Sequence, residues 1–242
     1  MSAPRELTYQ DRVVVVTGAR KGLGCILADH FLLQGARVVG MSRGEATIQH
    51  PMYEHHSTDV GDDRGVHETF LKIGRSHGRV DIAINNAAVV VVRHALITPP
   101  SQAEEMVRTN LLGHLYVSRE AAKLMRVRAW GRIINIGSIA AVLDPVGEAV
   151  YAASKSASMT LAAVLAKEFA SYGITVNTVA VTALETDMLG QLPDDSVSKL
   201  LASLPIPRLA TPEDIFNVVD FFASPRSGYI TAQTLFLGGV HR

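Results

Sequence analysis

Tyr151 and Lys155 stand four apart at the start of a segment with helical periodicity. Four residues along a helix put two side chains on one face, about 6 Å apart along the axis. A phenol and an ammonium so placed suit proton transfer. A free tyrosine titrates near ~10, and a neighbouring ammonium lowers this by stabilising the phenolate. The pair is therefore expected to make Tyr151 a proton donor assisted by Lys155. Taken alone, the same pair also reads as a surface hydroxyl beside a snorkelling lysine. Ser138, ending a Val/Ile-rich run, and Asn110, inside an earlier helical segment, are singly a turn serine and a helix asparagine bonded to nearby backbone.

A second group lies near the start. Val13 to Thr17 runs into Gly18-Ala19-Arg20-Lys21-Gly22-Leu23-Gly24, after which a helical pattern begins. Glycines permit a tight turn and close approach of backbone to a pyrophosphate, while the helix start supplies free N–H groups and partial positive charge. Placed directly after a first strand, the turn points to a nucleotide. A dinucleotide with a free ribose hydroxyl is read by an acid at the end of the second strand. That position holds Ser42, followed by Arg43, with Arg20 and Lys21 adding charge from the glycine turn. A guanidinium grips phosphate through paired donors, which favours a 2′-phosphate and hence NADP(H). Solvated surface cations are the plain alternative.

The elements that must position these groups are legible as alternating periods. Runs apolar on both faces occur at Val13–Thr17, Arg37–Met41, Val80–Asn85, Arg132–Gly137, Ile174–Ala180 and Thr234–Leu237. Segments of helical period lie between them at Gly22–Gln34, Asp62–His77, Ser101–Arg128, Val150–Tyr172 and Pro212–Ala223. Strands without alternation belong to a parallel sheet covered on both sides, and the alternation itself to right-handed βαβ units. Val89–Val92 looks like a strand but starts only four residues after Asn85, so it is expected to be a loop bordering the site. The chain reads as one α/β domain over residues 1–242, Rossmann-type and doubly wound, with residues 1–10 as an extension.

The Gly-x3-Gly-x-Gly spacing after Thr17 resembles that of the short-chain dehydrogenase/reductase family. So do Asp59-Val60, Asn85-Asn86-Ala87, Asn110, Ser138 and Tyr151-Ala152-Ala153-Ser154-Lys155, in that order along the chain. Within the family the chain looks most like the 3-oxoacyl-acyl-carrier-protein reductases, through the stretches Gly131–Ser138, Gly173–Asn177, Glu185–Met188 and Leu237–Gly239. The resemblance implies a mostly parallel seven-stranded sheet and a cofactor held by Gly18, Arg20, Lys21, Gly22, Leu23, Gly24, Ser42 and Arg43. It further implies that Asp59 and Val60 hold the adenine, Asn86 and Ala87 the adenosine ribose side, and Thr186 the nicotinamide amide. Lys155 would bind the nicotinamide ribose, Ser138 orient the substrate oxygen and Asn110 place a water leading to Lys155. It also implies a homotetramer paired through the helices Ser101–Arg128 and Val150–Tyr172, which carry more apolar surface than one sheet face covers.

Four positions depart from the family pattern: Ala88 for a glycine, Glu148 for a neutral side chain, and Val181-Thr182 for Pro-Gly. β-Branched residues disfavour positive φ, so the sixth strand is expected to run on through Val181. The rim Val89–Val92, Val142, Leu143, Met188, Leu189 and Leu192 is apolar and suits a ketone with a hydrophobic body, with a buried-core role the equal alternative for any one of them. The resemblance to the carrier-protein reductases implies basic residues near the site for an acidic carrier protein, a part open to Arg126 and Arg128, whereas Ala129 and Tyr172 stand where it implies further basic residues.

Bulk properties exclude several other roles. With 23 basic and 23 acidic residues the formal net charge is zero, which offers no field to attract nucleic acid. Cys25 is the only cysteine, so no intrachain disulfide forms and a reducing compartment fits. Its place near a helix start allows a lowered pKa, but packing beneath the glycine turn is the preferred reading. Met1–Gln10 is polar, and no stretch approaches the ~18 apolar residues of a membrane span, so a cytoplasmic protein is expected. The nine histidines, His55-His56 among them, lack metal-ligand spacing. Three functions remain: reduction of a 3-oxoacyl thioester or related ketone, oxidation of a secondary alcohol, and nucleotide binding without catalysis. Ser138, Tyr151 and Lys155 together argue against the last, and Arg43 without a strand-end acid against the second.

Overall fold

Valines that alternate along the first run face opposite ways, and each set has its own layer of helices. In the computed structural model, which describes residues 8–182, 184, 201, 202 and 204–240, the run is β1 (Val13–Thr17). The other strands are β2 (Arg37–Ser42), β3 (Tyr53–Ser57), β4 (Ile82–Asn85), β5 (Gly131–Ser138), β6 (Ile174–Val181) and β7 (Thr234–Phe236). They form a seven-stranded sheet in the order β3-β2-β1-β4-β5-β6-β7, with every pairing parallel.

Val13 and Val15 join Val66, Phe70 and Ile73 of α2 (Asp63–His77), Val117 and Met125 of α4 (Gly113–Met125), and Leu165 of α6 (Ala149–Phe169). Val14 and Val16 join Leu27 and Phe31 of α1 (Gly22–Leu33), and Val219 and Phe222 of a helix over Pro212–Ala223. Each such side chain, fully buried, contributes about 1.5–3 kcal/mol. Helices on both faces explain the lack of polar alternation in the central strands. The strand order reverses between β1 and β4, which opens a crevice beyond their carboxyl ends.

Three elements differ from their sequence outline for physical reasons. β3 carries no Val/Ile run, because among the described residues it is an edge strand paired with β2 alone and its side chains are mostly polar; Glu54, for example, pairs with His77 at 2.7 Å. The helix expected over Ser101–Arg128 is broken into α3 (Pro100–Val107), a π turn at Arg108–Leu112, α4 and a final 3₁₀ turn at Arg126–Arg128. Periodicity alone does not reveal an inserted π turn, and such turns cluster at functional sites. A short α5 (Ala140–Leu143) also separates β5 from α6. Among the described residues, the helix Pro212–Ala223 follows α6 and is labelled α7.

Val89–Val92 is irregular, as expected. β6 does run on through Val181, which pairs with Ser138 and whose carbonyl accepts from the Ile139 N–H at 3.1 Å. The chain Ala149–Tyr172 is long and apolar enough to cross a membrane by length and composition, but it packs on β5 and β6 with half of that stretch buried.

Candidate active site

The carboxyl ends of β1, β4 and β5 and the start of α6 converge on one edge of the sheet. β5 ends at Ser138, and Tyr151 and Lys155 leave the first two turns of α6. Lys155 is only 2% exposed, its Nζ donating to the Ile136 carbonyl at 2.8 Å and lying 5.9 Å from the Tyr151 ring centre. That bond ties the lysine to the strand that carries Ser138. Burial brings the ammonium down to about 8, since the charged form has lost its water.

Despite the nearby ammonium, the Tyr151 pKa ends above its ordinary value and not below it. Burial pushes the phenol up to about 12, with the Ser138 hydroxyl pulling down against it and the Glu148 carboxyl pushing it further up. The cause is enclosure, because the ring packs with Met106, Ala140 and Val89–Val91 and a phenolate there would be poorly hydrated. At neutral pH the phenol keeps its proton, as a donor must. Glu148 caps α6 without a side-chain cap bond, and burial raises its carboxyl as well. The Ser138 Oγ accepts from the Ala140 N–H at 3.1 Å, which leaves its own proton to donate.

Asn110 sits in the π turn with 0% exposure. Its Oδ1 accepts from the Val89 N–H at 2.8 Å, and its Nδ2 donates to the Val89 carbonyl at 2.9 Å and to Ser154 Oγ at 3.0 Å. The side chain thus fastens the Val89 loop and α6 together.

At the other end of the crevice the glycines divide the work. Gly18 has φ +70 and its N–H donates to the Met41 carbonyl at 2.7 Å. A Cβ on Gly24 would lie 2.3 Å from the Gly18 carbonyl oxygen, so α1 presses directly on the turn. A Cβ on Gly22, in contrast, would meet nothing within 4 Å. Gly22 therefore forms the open lip of the cradle. Leu23, beside it, packs into the core under α1. The α1 cap residue, Lys21, is extended and makes no side-chain cap bond, so the first helical N–H groups remain for an anion. An open lip, a close-packed floor and an uncapped helix start fit a bound pyrophosphate.

The flanking residues are held largely by one another. The Asn86 and Ala87 N–H groups donate to Thr17 Oγ1 at 2.9 and 3.0 Å, and Asn86 Nδ2 donates to the Thr17 carbonyl at 2.9 Å. Asp59 Oδ1 closes its own loop by accepting from the Gly61 N–H at 2.9 Å, and Val60 packs on Gly113. Ser42 Oγ is drawn into the loop, donating to the Gly44 carbonyl at 3.2 Å with His55 Nε2 at 3.0 Å. Arg20 lies along Gly44, and Arg43 Nη1 reaches across to Glu105 Oε1 at 2.9 Å. Thr186 lies outside the described residues, as do the rim residues Met188, Leu189 and Leu192. Burial pushes the Cys25 thiol up, in keeping with packing rather than reactivity.

Two neighbours of the site were not anticipated from sequence. His114 is 2% exposed, abuts the Ala87 backbone without a well-formed hydrogen bond, and is driven down to about 3 by burial and by Lys155. Its spacing one helical turn beyond Asn110 was the available signal. Glu105 had none, since only the fold brings α3 to the end of β2. Among the described residues, no group of three or more His, Cys, Asp or Glu is placed to hold a metal ion.

Because the lysine is anchored and buried, its titration should be visible in kinetics. If Tyr151 is the proton donor, a cationic Lys155 would favour the phenolate left behind, and that help would be lost as pH rises through about 8. With a ketone substrate, kcat/KM is expected to fall by up to about tenfold per pH unit above that point. A profile of NADPH oxidation that stays flat to pH 10 would show that Lys155 does not act through its charge.

A reversing parallel sheet, an open glycine cradle at the crevice and a Ser-Tyr-Lys grouping beside it define a nucleotide-binding α/β protein of the oxidoreductase type. Residues 12–196 match the family model described as short chain dehydrogenase. The chain is 32% identical over 240 residues to the 3-oxoacyl-(acyl-carrier-protein) reductase FabG of Escherichia coli (strain K12), covering 96% of this chain and 98% of that one. It is likewise 32% identical over 239 residues to the enzyme of the same name from Vibrio harveyi, with the same coverage. Among solved structures it superposes on the aldohexose dehydrogenase of Thermoplasma acidophilum in its ligand-free form with a TM-score of 0.87. That pair shares 25% identity over 95% of this chain and 94% of the other. The chain belongs to the short-chain dehydrogenase family and is an oxidoreductase of that family.

Proposed function

We propose that this protein reduces a ketone to a secondary alcohol with NADPH, its substrate being a 3-oxoacyl thioester or a related apolar ketone. The observation that carries this reading is the enclosure of a protonated Tyr151 among Met106, Ala140 and Val89–Val91, with Ser138 beside it and Lys155 anchored behind. When bound, NADPH supplies the hydride. Ser138 orients the substrate oxygen with its free proton, Tyr151 delivers the second hydrogen to that oxygen as H⁺, and Lys155 favours the resulting phenolate. Asn110 acts by holding the Val89 wall. The glycine cradle with Leu23 carries the pyrophosphate, and Asp59, Val60, Asn86 and Ala87 line the adenosine side. Arg43 with Arg20 and Lys21 faces the 2′-phosphate, Ser42 shaping that loop, and Thr186 takes the nicotinamide amide.

The substrate class draws support from the names of the curated relatives, 3-oxoacyl-(acyl-carrier-protein) reductases. A carrier protein is the less direct part. Arg126 and Arg128 precede β5, whereas Ser138 ends it, so one eight-residue strand, roughly 25 Å at about 3.3 Å per residue, separates them from the site. We read the chain as one cytoplasmic domain forming a homotetramer, with exposed Val127 and Val164 on the helices that would pair.

The test is NADPH oxidation against acetoacetyl thioesters, apolar ketones and hydroxylated ketones, with NADP⁺ and secondary alcohols run in reverse. Turnover should be highest with the thioester or an apolar ketone. A preference for polyhydroxylated substrates, or turnover only in the oxidising direction, would replace this reading with that of an alcohol dehydrogenase.

A further inference from the structure

Arg43 follows the end of β2, and Glu105 lies on α3, 62 residues away, yet their side chains meet at 2.9 Å. The bridge crosses the mouth of the crevice from the β2 side to the helix that follows β4. Glu105 also lines a cavity of about 240 Å³ together with Asp59, Gly61, Glu104 and Arg108. The bridge therefore spans the adenosine end, and it engages the cation assigned above to the 2′-phosphate. Both side chains are substantially exposed, Arg43 at 63% and Glu105 at 44%, so the pair is weak enough to open and close.

From this we infer that Glu105 is a specificity-determining residue, one that competes with the 2′-phosphate for Arg43 and so blunts the preference for NADPH over NADH. The inference rests on the proposed use of Arg43. A phosphate dianion that takes the Arg43 guanidinium must displace the Glu105 carboxylate or sit close beside it, and like charges at that range repel. A ribose with a free 2′-hydroxyl brings no charge and leaves the bridge intact. Arg20 does not remove the conflict, because it lies along Gly44 on the glycine-turn side while Glu105 approaches from α3. No acid ends β2, and α3 brings one to the same place.

Dissociation constants for NADPH and NADH, measured by cofactor fluorescence and by equilibrium dialysis, test this on four proteins: the natural chain, Glu105→Gln, Arg43→Ala and the double variant. Glu105→Gln is expected to tighten NADPH by about three- to tenfold while NADH stays within about twofold. That gain should disappear when Arg43 is already alanine. If Glu105→Gln leaves the NADPH/NADH ratio unchanged or lowers it, Glu105 does not compete for Arg43, and a lowered ratio would mean that it presents Arg43 to the phosphate. If the gain persists in full without Arg43, the carboxylate acts on the phosphate directly and competition is overturned. The underlying reading is judged separately from Arg43→Ala alone: equal losses for the two cofactors would mean that Arg43 does not touch the 2′-phosphate.

Discussion

Tyr151→Phe should cut turnover with a ketone by about 10² to 10⁴, the range a positioned general acid commonly provides. NADPH affinity should remain within about threefold. The substitution removes one oxygen and keeps the ring, so the packing with Met106, Ala140 and Val89–Val91 is preserved. Lys155 also keeps its anchor, because its bond is to the Ile136 carbonyl and not to the phenol. Stability should change by no more than about 1 kcal/mol, since a single hydroxyl is lost and no cavity of note is opened. Single-turnover oxidation of NADPH, beside a fluorescence titration of the same variant, separates the two quantities. Near-normal turnover would remove Tyr151 from the chemistry. An equal loss in binding would show that the hydroxyl mainly shapes the cofactor site.

Gly24→Ala is expected to lower both stability and cofactor affinity, although helix propensity argues the other way. Alanine gains about 0.8–1 kcal/mol over glycine inside a helix. The new Cβ would nevertheless sit 2.3 Å from the Gly18 carbonyl oxygen and 2.4 Å from Asn86 Nδ2. The first of these is backbone and cannot rotate away. Overpacking of this kind costs about 1–3 kcal/mol, so it outweighs the propensity gain. Relief requires α1 to lift off the turn, which displaces the very N–H groups that face the pyrophosphate. NADPH should bind at least about tenfold more weakly, the equivalent of 1.4 kcal/mol. Gly22→Ala offers the contrast, for it meets no atom within 4 Å and suffers only the strain of φ +55, about 1–2 kcal/mol. Thermal unfolding and NADPH titration of both variants would decide the matter. If Gly24→Ala keeps the natural melting temperature and affinity, the close approach of helix and turn is not what this glycine provides.

The sequence by itself determined the sheet, the cradle and the Tyr151 and Lys155 pair, because each is written in local terms, whereas Ser138 joined that pair only through the resemblance to a known family. Fully buried parallel strands such as β1 need apolar residues on both faces, a phosphate turn needs glycine where φ is positive, and a proton-donor pair on one helix needs a spacing of four. Even the run of β6 through Val181 followed from side chains that resist positive φ. What was missed depended on partners far along the chain. β3 owes its place to pairing with β2 rather than to its own polar side chains, and the π turn that delivers Asn110 to Val89 leaves no mark on the hydrophobic period. The net rise of the Tyr151 pKa was missed as well, since a spacing of four shows the lysine but not the apolar wall that dehydrates the ring. Only the tertiary structure could set Glu105 against Arg43, because an ion pair across a crevice is fixed by how two faces of a sheet are covered, and no periodicity records that.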